Sequence, residues 1–211
     1  MTIYYKIKDK IFNIIKNNLF GKTYLGKRLS RSVWERQFSS GYWDYLYSED
    51  EQDHYLGICD LYNQYKPGKK ILDVGCGQGV LYHYIKNNVK NEVDFFGVDI
   101  SHNAIMLAKA RFGTQNFVQI DFDKEGIERK FDVIVFNETL YYFEQPLKTI
   151  EQSIKWNLNQ GGYIIISMFD LPDHRKIWNK LVNNYTFVEV KEITNYKGQK
   201  WKLGILTSQV G

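Results

Sequence analysis

Cysteine, proline and histidine are all scarce in this sequence of 211 residues. The two cysteines, Cys59 and Cys76, form no metal-ligand pattern, and so few thiols fit a reduced cytoplasmic compartment. Three prolines and no low-complexity tract leave no proline-rich linker that would divide the chain. No apolar run approaches the length of a membrane span, and lysines interrupt the apolar residues near residue 1. We therefore expect a cytoplasmic globular protein.

Metal and nucleic-acid chemistry find little support in the sequence. The four histidines, at 54, 83, 102 and 174, lack metal-ligand spacing, so we expect no metal site. The net charge of +4 is unevenly spread, because residues 1–31 hold eight Lys/Arg and one acid and leave the remainder acidic. A nucleic-acid-binding protein more often carries basic charge across its working face, so we expect no nucleic-acid partner.

Residues 3–20 are predicted to form an amphipathic helix, because apolar residues recur there at helical spacing. We favour packing of this apolar stripe against the domain or a partner chain. Peripheral contact of its lysines with anionic lipid is the alternative. The sequence does not predict an oligomeric state.

From residue 67 onward, strand and helix patterns alternate. Two helices are expected before that point, near 31–39 and 49–65. Strands are then expected near 70–74, 93–98, 116–120, 131–136 and 161–168, and helices near 79–89, 102–112, 145–158 and 173–183. Two further alternating stretches, 185–193 and 200–208, predict a terminal antiparallel hairpin. The order predicts an α/β fold, with a doubly wound, mostly parallel sheet.

The most informative stretch runs from Ile71 to Leu81 and has the form acid-x-Gly-x-Gly-x-Gly. It predicts a buried strand that ends in a glycine loop and leads into a helix, which brings backbone N–H groups close to a ligand. The acid, Asp73, would repel a pyrophosphate but suits a ligand with an amino group. The stretch closely resembles the first motif of Rossmann-like, class I methyltransferases, which use S-adenosylmethionine (SAM). The resemblance implies that Asp73, Gly75, Cys76 and Gly77 contact SAM.

The second and third strands end in acids that fit the same interpretation. Asp99 can accept hydrogen bonds from both ribose hydroxyls, beside an apolar surface for adenine at Ile100. The alternative is that Asp99 and Ser101 only cap the next helix, and both roles are compatible. By the resemblance, Asp121 accepts from the adenine amino group and the backbone of Phe122 serves a ring nitrogen. Asp123 is a nearby competitor for the first of these roles.

The fourth strand leads into Asn137-Glu138-Thr139-Leu140-Tyr141-Tyr142. The resemblance places this stretch beside the reacting methyl group, with Asn137 among the cofactor contacts. Tyr141-Tyr142 replaces the Glu-His pair common in related enzymes, so the stretch has no histidine base. The candidate bases are therefore Glu138, Tyr142 and His54. The candidate substrate contacts are Tyr42, Trp43, Tyr141 and His174, although stacking in the core is an alternative for the aromatic residues.

Residues 33–46 resemble, more weakly, the leader of small methyltransferases encoded in bacterial surface-polysaccharide clusters. This resemblance implies O-methylation of a saccharide or its substituent, with S-adenosylhomocysteine (SAH) as the second product. The alternatives are N-methylation of an amine-bearing metabolite and a SAM-binding protein without catalysis. We expect a three-layer α/β/α sandwich with a seven-stranded sheet, in which residues 1–66 form an N-terminal helical extension or lid and residues 67–211 the core.

Overall fold

The computed structural model describes residues 26–66, 68–113 and 115–207, so the helix predicted over 3–20 lies outside the described residues. The described residues form a seven-stranded sheet with the strand order β3-β2-β1-β4-β5-β7-β6. Strand β7 runs antiparallel to both of its neighbours, and the other pairs are parallel. The predicted doubly wound sheet with an antiparallel C-terminal hairpin is confirmed.

The elements follow the predicted order. The strands are β1 Lys70–Val74, β2 Asp94–Asp99, β3 Phe117–Gln119, β4 Phe131–Asn137, β5 Leu158–Phe169, β6 Phe187–Thr194 and β7 Lys200–Thr207. The α-helices are α1 Arg31–Ser39, α2 Glu49–Tyr65, α3 Val80–Asn88, α4 His102–Phe112, α5 Pro146–Gln152 and α6 Pro172–Asn184. Single 3-10 turns cover Asp44–Tyr47 and Leu140–Tyr142. Within the described ranges, no helix combines the length and apolar character needed to cross a membrane.

Two hydrophobic clusters lie on opposite faces of the sheet because side chains alternate along each strand. Ile71 and Val133 belong to one cluster, which α2, α3 and α4 cover. Their neighbours Leu72 and Ile134 belong to the other, which α5 and α6 cover. Burial on both faces explains the continuous apolar runs of the central strands and confirms the three-layer sandwich.

The region before β5 differs from the prediction. The strand begins at Leu158, and Gly161-Gly162 lies inside it, where the register with β4 shifts from Phe131–Leu158 to Val133–Tyr163. The strand thus begins three residues before the expected start near 161, and the glycines form an irregularity within it. The preceding helix also ends early, at Gln152, and continues as a π-turn over Ser153–Asn157.

Hydrogen bonds of one side chain, Glu35, join helix α1 to the N-terminus of α4. The Glu35 carboxylate accepts hydrogen bonds from the Ser101 hydroxyl at 2.8 Å and from the backbone N–H groups of His102 and Asn103 at 2.8 and 3.0 Å. It therefore caps the N-terminus of α4, where a negative charge is favourable. These bonds lower the pKa of Glu35 against the opposing effect of burial. The N-terminal extension is thus held beside the carboxyl end of β2.

Candidate functional site

The carboxyl ends of the parallel strands open into a cavity of about 610 Å³. Its lining includes three groups of residues. The first, which we call the glycine-loop wall, comprises Asp73, Gly75, Cys76, Gly77, Asp99, Ile100, Asp121 and Phe122. The second, the aromatic wall, comprises Trp34, Tyr42, Trp43, Tyr141 and Tyr142. The third, the α6 wall, comprises Asp173, His174, Lys176, Ile177 and Lys180.

Left-handed glycines shape the glycine-loop wall. Gly75, Gly77 and Gly79 have φ of +77°, +54° and +83°, a region that residues with a Cβ rarely adopt. At Gly75 a Cβ would also lie 2.2 Å from the Thr139 hydroxyl oxygen, so the loop after β4 leaves no room for a side chain. The Gly75 and Cys76 N–H groups donate to the Val98 carbonyl at 2.8 and 2.9 Å. These bonds hold the loop against β2.

Asp99 joins the glycine loop to the next helix. One carboxylate oxygen accepts from the Gly77 N–H at 2.9 Å and the other from the Ser101 N–H at 2.8 Å. Ser101 is the N-cap of α4, since its hydroxyl accepts from the Ala104 N–H at 3.2 Å. The capping interpretation therefore holds for Ser101. Asp99 lines the cavity and carries free lone pairs for a ligand in addition to its backbone bonds.

The buried acids make this wall selective for positive charge. Burial, with Asp99 nearby, raises the pKa of Asp73 to about 8. Burial also raises the pKa of Asp99 to about 6, against the lowering effect of its backbone hydrogen bonds. The two buried carboxyl groups disfavour ionisation at the same time. A cation placed between or beside them would stabilise their ionised forms. An anionic pyrophosphate would be disfavoured here.

Arg28 from the N-terminal extension occupies the position beside β3. Its guanidinium makes an ion pair with Asp121 and a second with Asp123 at 2.6 Å. Asp121 and Asp123 therefore lie together at the cavity, and Phe122 also lines it. The sequence prediction did not include Arg28. The concentration of basic residues in 1–31 was a signal, but it did not identify a partner.

The segment after β4 brings Asn137 and Glu138 to the cavity. Glu138 has a φ of +53°, which is rare for a residue with a side chain and marks a constrained turn. Its N–H donates to the Ser167 carbonyl at 2.9 Å, and the Tyr141 hydroxyl donates to its carboxylate at 3.0 Å. The Asn137 side-chain oxygen is buried and has no hydrogen-bond partner among residues 26–66, 68–113 and 115–207. A buried acceptor of this kind suits a ligand donor.

Aromatic rings in stacked and edge-on contact form the aromatic wall. Trp34 lies 5.9 Å from Trp43 and 4.7 Å from Tyr142, and Tyr42 packs edge-on against Trp43 at 4.9 Å between ring centroids. The Trp43 carbonyl accepts from the Gln78 amide at 3.0 Å, which ties the wall to the glycine loop. Burial raises the pKa of Tyr142, so this phenol stays neutral and is suited to hydrogen bonding rather than to strong base catalysis.

The two candidate histidines have different positions. His174 lines the cavity, stacks on Tyr141 at 3.9 Å and has Nδ1 2.7 Å from the Phe169 carbonyl. Because a carbonyl only accepts, Nδ1 carries the hydrogen, and burial lowers the pKa of the ring to about 4. His54 is not among the residues that line the cavity. It is buried on α2, where its ring stacks on Trp201 at 4.9 Å, so packing against β7 turns it away from the site.

In the part of the chain that the structure describes, no group of His, Cys, Asp and Glu residues has the geometry to hold a metal ion. The cavity itself has an acidic side, formed by Asp73 and Asp99, and an aromatic side beside it.

Comparison with known proteins agrees with this architecture. The protein family described as a methyltransferase domain matches residues 65–205. The chain belongs to this family. The family assignment confirms, at the level of the family, the expectation of a SAM-dependent methyltransferase with SAM as cofactor.

Among curated proteins, the chain is similar to two with different acceptors. It is 26% identical over 144 residues to malonyl-(acyl-carrier protein) O-methyltransferase 2 of Ilyobacter polytropus, covering 63% of this chain and 54% of that protein. It is 31% identical over 139 residues to phosphoethanolamine N-methyltransferase 3 of Arabidopsis thaliana, covering 64% of this chain and 27% of that protein. The chain thus spans about half or less of the length of these relatives.

Solved structures share the fold. N-methyltransferase NodS from Bradyrhizobium japonicum WM9, in complex with SAH, superimposes with a TM-score of 0.65 at 19% identity, covering 84% of this chain and 97% of that one. Magnesium protoporphyrin IX methyltransferase (ChlM) from Synechocystis PCC 6803, with bound SAM, gives 0.60 at 16% identity, covering 85% and 97%. At such identities the likeness concerns the fold. The curated relatives include both an O-methyltransferase and an N-methyltransferase.

Proposed function

We propose that this protein transfers the methyl group of SAM to an oxygen or nitrogen of a small-molecule acceptor and forms SAH. The observation that carries the proposal is the cavity itself, where an acidic glycine-loop wall adjoins an aromatic wall around Asn137 and Glu138. The first suits the cofactor and the second suits the acceptor. Neither wall alone would distinguish a transferase from a simple binding protein.

The residues at the glycine-loop wall fit SAM by charge. Asp73 and Asp99 are buried carboxylates with raised pKa values, and the ammonium of the methionine end would favour their ionised forms. In this assignment Asp99 also accepts from the ribose hydroxyls. Ile100 and Phe122 offer apolar surface to adenine, and the Asn137 oxygen accepts from a donor of the cofactor. Asp121 accepts a hydrogen bond from the adenine amino group and keeps its ion pair with Arg28.

When bound, SAM supplies a methyl group that its positively charged sulfur makes strongly electrophilic. The protein then contributes mainly position and orientation, which account for much of the rate in such reactions. Aromatic faces stabilise nearby positive charge, and the rings of the aromatic wall lie at the same cavity.

Glu138 is the base that we assign for a hydroxyl acceptor. Its carboxylate lines the cavity and is held at 3.0 Å by the Tyr141 hydroxyl, which fixes its orientation. We assign Tyr142 to hydrogen-bond the acceptor, because it lines the cavity and burial raises the pKa of its phenol, which therefore stays neutral. His54 is left out because its ring packs against Trp201 away from the cavity.

For the acceptor itself we favour a saccharide or a saccharide substituent. Rings such as Tyr42 and Trp43 present flat apolar faces on which the C–H surface of a sugar packs well. N-methylation of an amine-bearing metabolite is the second candidate, since an amine needs no strong base and the stretch after β4 has no histidine. One of the relatives is a phosphoethanolamine N-methyltransferase.

The test is turnover of SAM to SAH with hydroxyl and amine acceptors. Glu138→Gln should lower kcat by about 10²-fold on a hydroxyl acceptor, the usual contribution of a general base. SAM affinity, measured by calorimetry, should not change. The matched control is Glu144→Gln, because Glu144 is exposed and is not among the residues that line the cavity.

Full activity of Glu138→Gln on a hydroxyl acceptor would remove Glu138 as the base. If Glu138→Gln and Glu144→Gln methylated an amine acceptor at the same rate, N-methylation would be favoured. SAM binding without turnover on any acceptor would instead support a SAM-binding protein without catalysis.

A further inference from the structure

One face of helix α6 lines the cavity with charged side chains. Asp173, Lys176, Ile177 and Lys180 follow one another at helical spacing and all reach the cavity. Lys27, from the N-terminal extension, joins them there. None of these residues belongs to the cofactor contacts or to the proposed base.

The charges of this face do not cancel. The Asp173 carboxylate accepts from Lys176 at 2.9 Å and lies 3.4 Å from the Lys27 ammonium, so it contacts both lysines. Lys180 has no ion pair within the described part of the chain. The two lysines of the α6 wall and its single carboxylate, Asp173, thus leave an excess of positive charge there.

The lysines of α6 lie on the side of the helix that faces the cavity. Lys176 and Lys180 are exposed and both line the cavity, whereas the exposed asparagines Asn179, Asn183 and Asn184 are neutral and do not line it. Arg175 makes a bidentate pair with Asp170 at 2.6 and 2.7 Å and is thereby neutralised. The positive charge of α6 that Asp170 does not neutralise is therefore concentrated at the cavity.

From this placement we propose that the acceptor is an anion, whose body lies on the aromatic wall and whose phosphate or carboxylate group lies beside Lys176 and Lys180. This inference rests on the proposed function and adds the chemical class of the substrate. Lysine ammonium groups act as point charges without the fixed fork of arginine, so they suit either anion. The acidic glycine-loop wall would repel the same group, so the charges fix which end of the acceptor faces the methyl group.

The experiment compares three sugars that differ in charge: glucose 1-phosphate, glucuronate and glucose. Binding to the protein saturated with SAH is followed by quenching of tryptophan fluorescence, since Trp34 and Trp43 line the cavity. We expect at least one anionic sugar to bind about tenfold or more tightly than glucose, and raising the salt concentration to weaken it. The phosphate and the carboxylate are distinguished by which of the two anions binds.

The double variant Lys176→Ala/Lys180→Ala should lose this preference. The matched control is Lys86→Ala, which removes an exposed lysine of α3 that is not part of the cavity lining and should keep the preference. Equal binding of charged and neutral sugars, binding of none of them, or an unchanged preference in the double variant would each overturn the proposal.

SAH binding by calorimetry separates this inference from the function on which it rests. If the wild-type protein fails to bind SAH, the proposed function fails. If SAH binds and the preference for anions is absent, only the anionic acceptor is excluded.

Discussion

The glycine-loop wall and the aromatic wall of one cavity are built in different ways. The first consists of strand ends and a loop whose backbone groups bond across β1 and β2, with buried acids at fixed positions. The second consists largely of rings stacked on one another, and Trp34, Tyr42 and Trp43 precede the residues 65–205 that match the family. Backbone geometry therefore defines the wall that we assign to the cofactor, whereas side-chain packing defines the wall that we assign to the acceptor.

The difference can be tested first at the backbone, where the largest effect is expected. Gly75→Ala combines a left-handed residue with a Cβ 2.2 Å from the Thr139 hydroxyl oxygen. The conformation costs roughly 1–2 kcal/mol and overpacking typically 1–3 kcal/mol, so we expect a loss of roughly 2–5 kcal/mol in the free energy of unfolding. Urea denaturation measures this loss, and SAH affinity should fall with it.

Gly113→Ala is the matched control. Gly113 is also left-handed, with a φ of +62°, but a Cβ there would meet nothing within 4 Å. It should show the conformational cost alone and keep its affinity for SAH. If both variants lost the same free energy of unfolding, position 75 would require glycine because of its backbone conformation and not because of the contact with the loop after β4.

The next largest effect should come from the acid at the end of β2. Asp99→Asn removes the charge from the carboxylate that bonds Gly77 and Ser101 and that we assign to the ribose. Charge-assisted hydrogen bonds contribute about 1.5–3 kcal/mol, so SAM affinity by calorimetry should fall about tenfold or more.

Asp94 provides the control, because it begins the same strand, is exposed and lies outside the cavity lining. Asp94→Asn should bind SAM as the wild type does, since its ion pair with Arg129 at 3.6 Å is exposed. If Asp99→Asn kept full affinity, Asp99 would serve only to hold the loop.

The same contrast explains how much the sequence could predict. The bounds expected for α4, 102–112, agree with the structure because local signals set them, namely a Ser101 N-cap and the left-handed Gly113 that ends the helix. The acids of the glycine-loop wall follow strand ends, which local patterns also mark. All of the cofactor positions and all of the substrate positions that were predicted do line the cavity.

What the sequence could not predict depends on pairs far apart along the chain. The contacts of Arg28 with Asp121 and of Glu35 with Ser101 span 93 and 66 residues, and no spacing rule links them. His54 lies on a helix whose predicted bounds agree, yet the side it faces is set by packing against Trp201. The irregularity at Gly161-Gly162 likewise depends on the register with β4.

The smallest expected signal concerns protons. The pKa of Asp73 is raised to about 8 and that of Asp99 to about 6, mainly by burial, whereas an unfolded Asp titrates near 3.9. The native protein thus holds protons that the unfolded chain has lost, so the free energy of unfolding should fall as the pH rises from about 4 to about 8. A bound cation reverses this effect, because it favours the ionised carboxylates.

SAM binding at pH 7 should therefore release protons, on the order of a fraction of one per site. Calorimetry in buffers with different ionisation enthalpies measures the release as a change in the observed heat. Asp73→Asn should reduce it and Asp94→Asn should not, since Asp94 is exposed at the other end of β2. Heats that do not depend on the buffer would show that the buried acids keep the same protonation state when SAM binds, which would contradict the prediction. A measured release would show that the positively charged ligand ionises carboxyl groups that are protonated in the free protein.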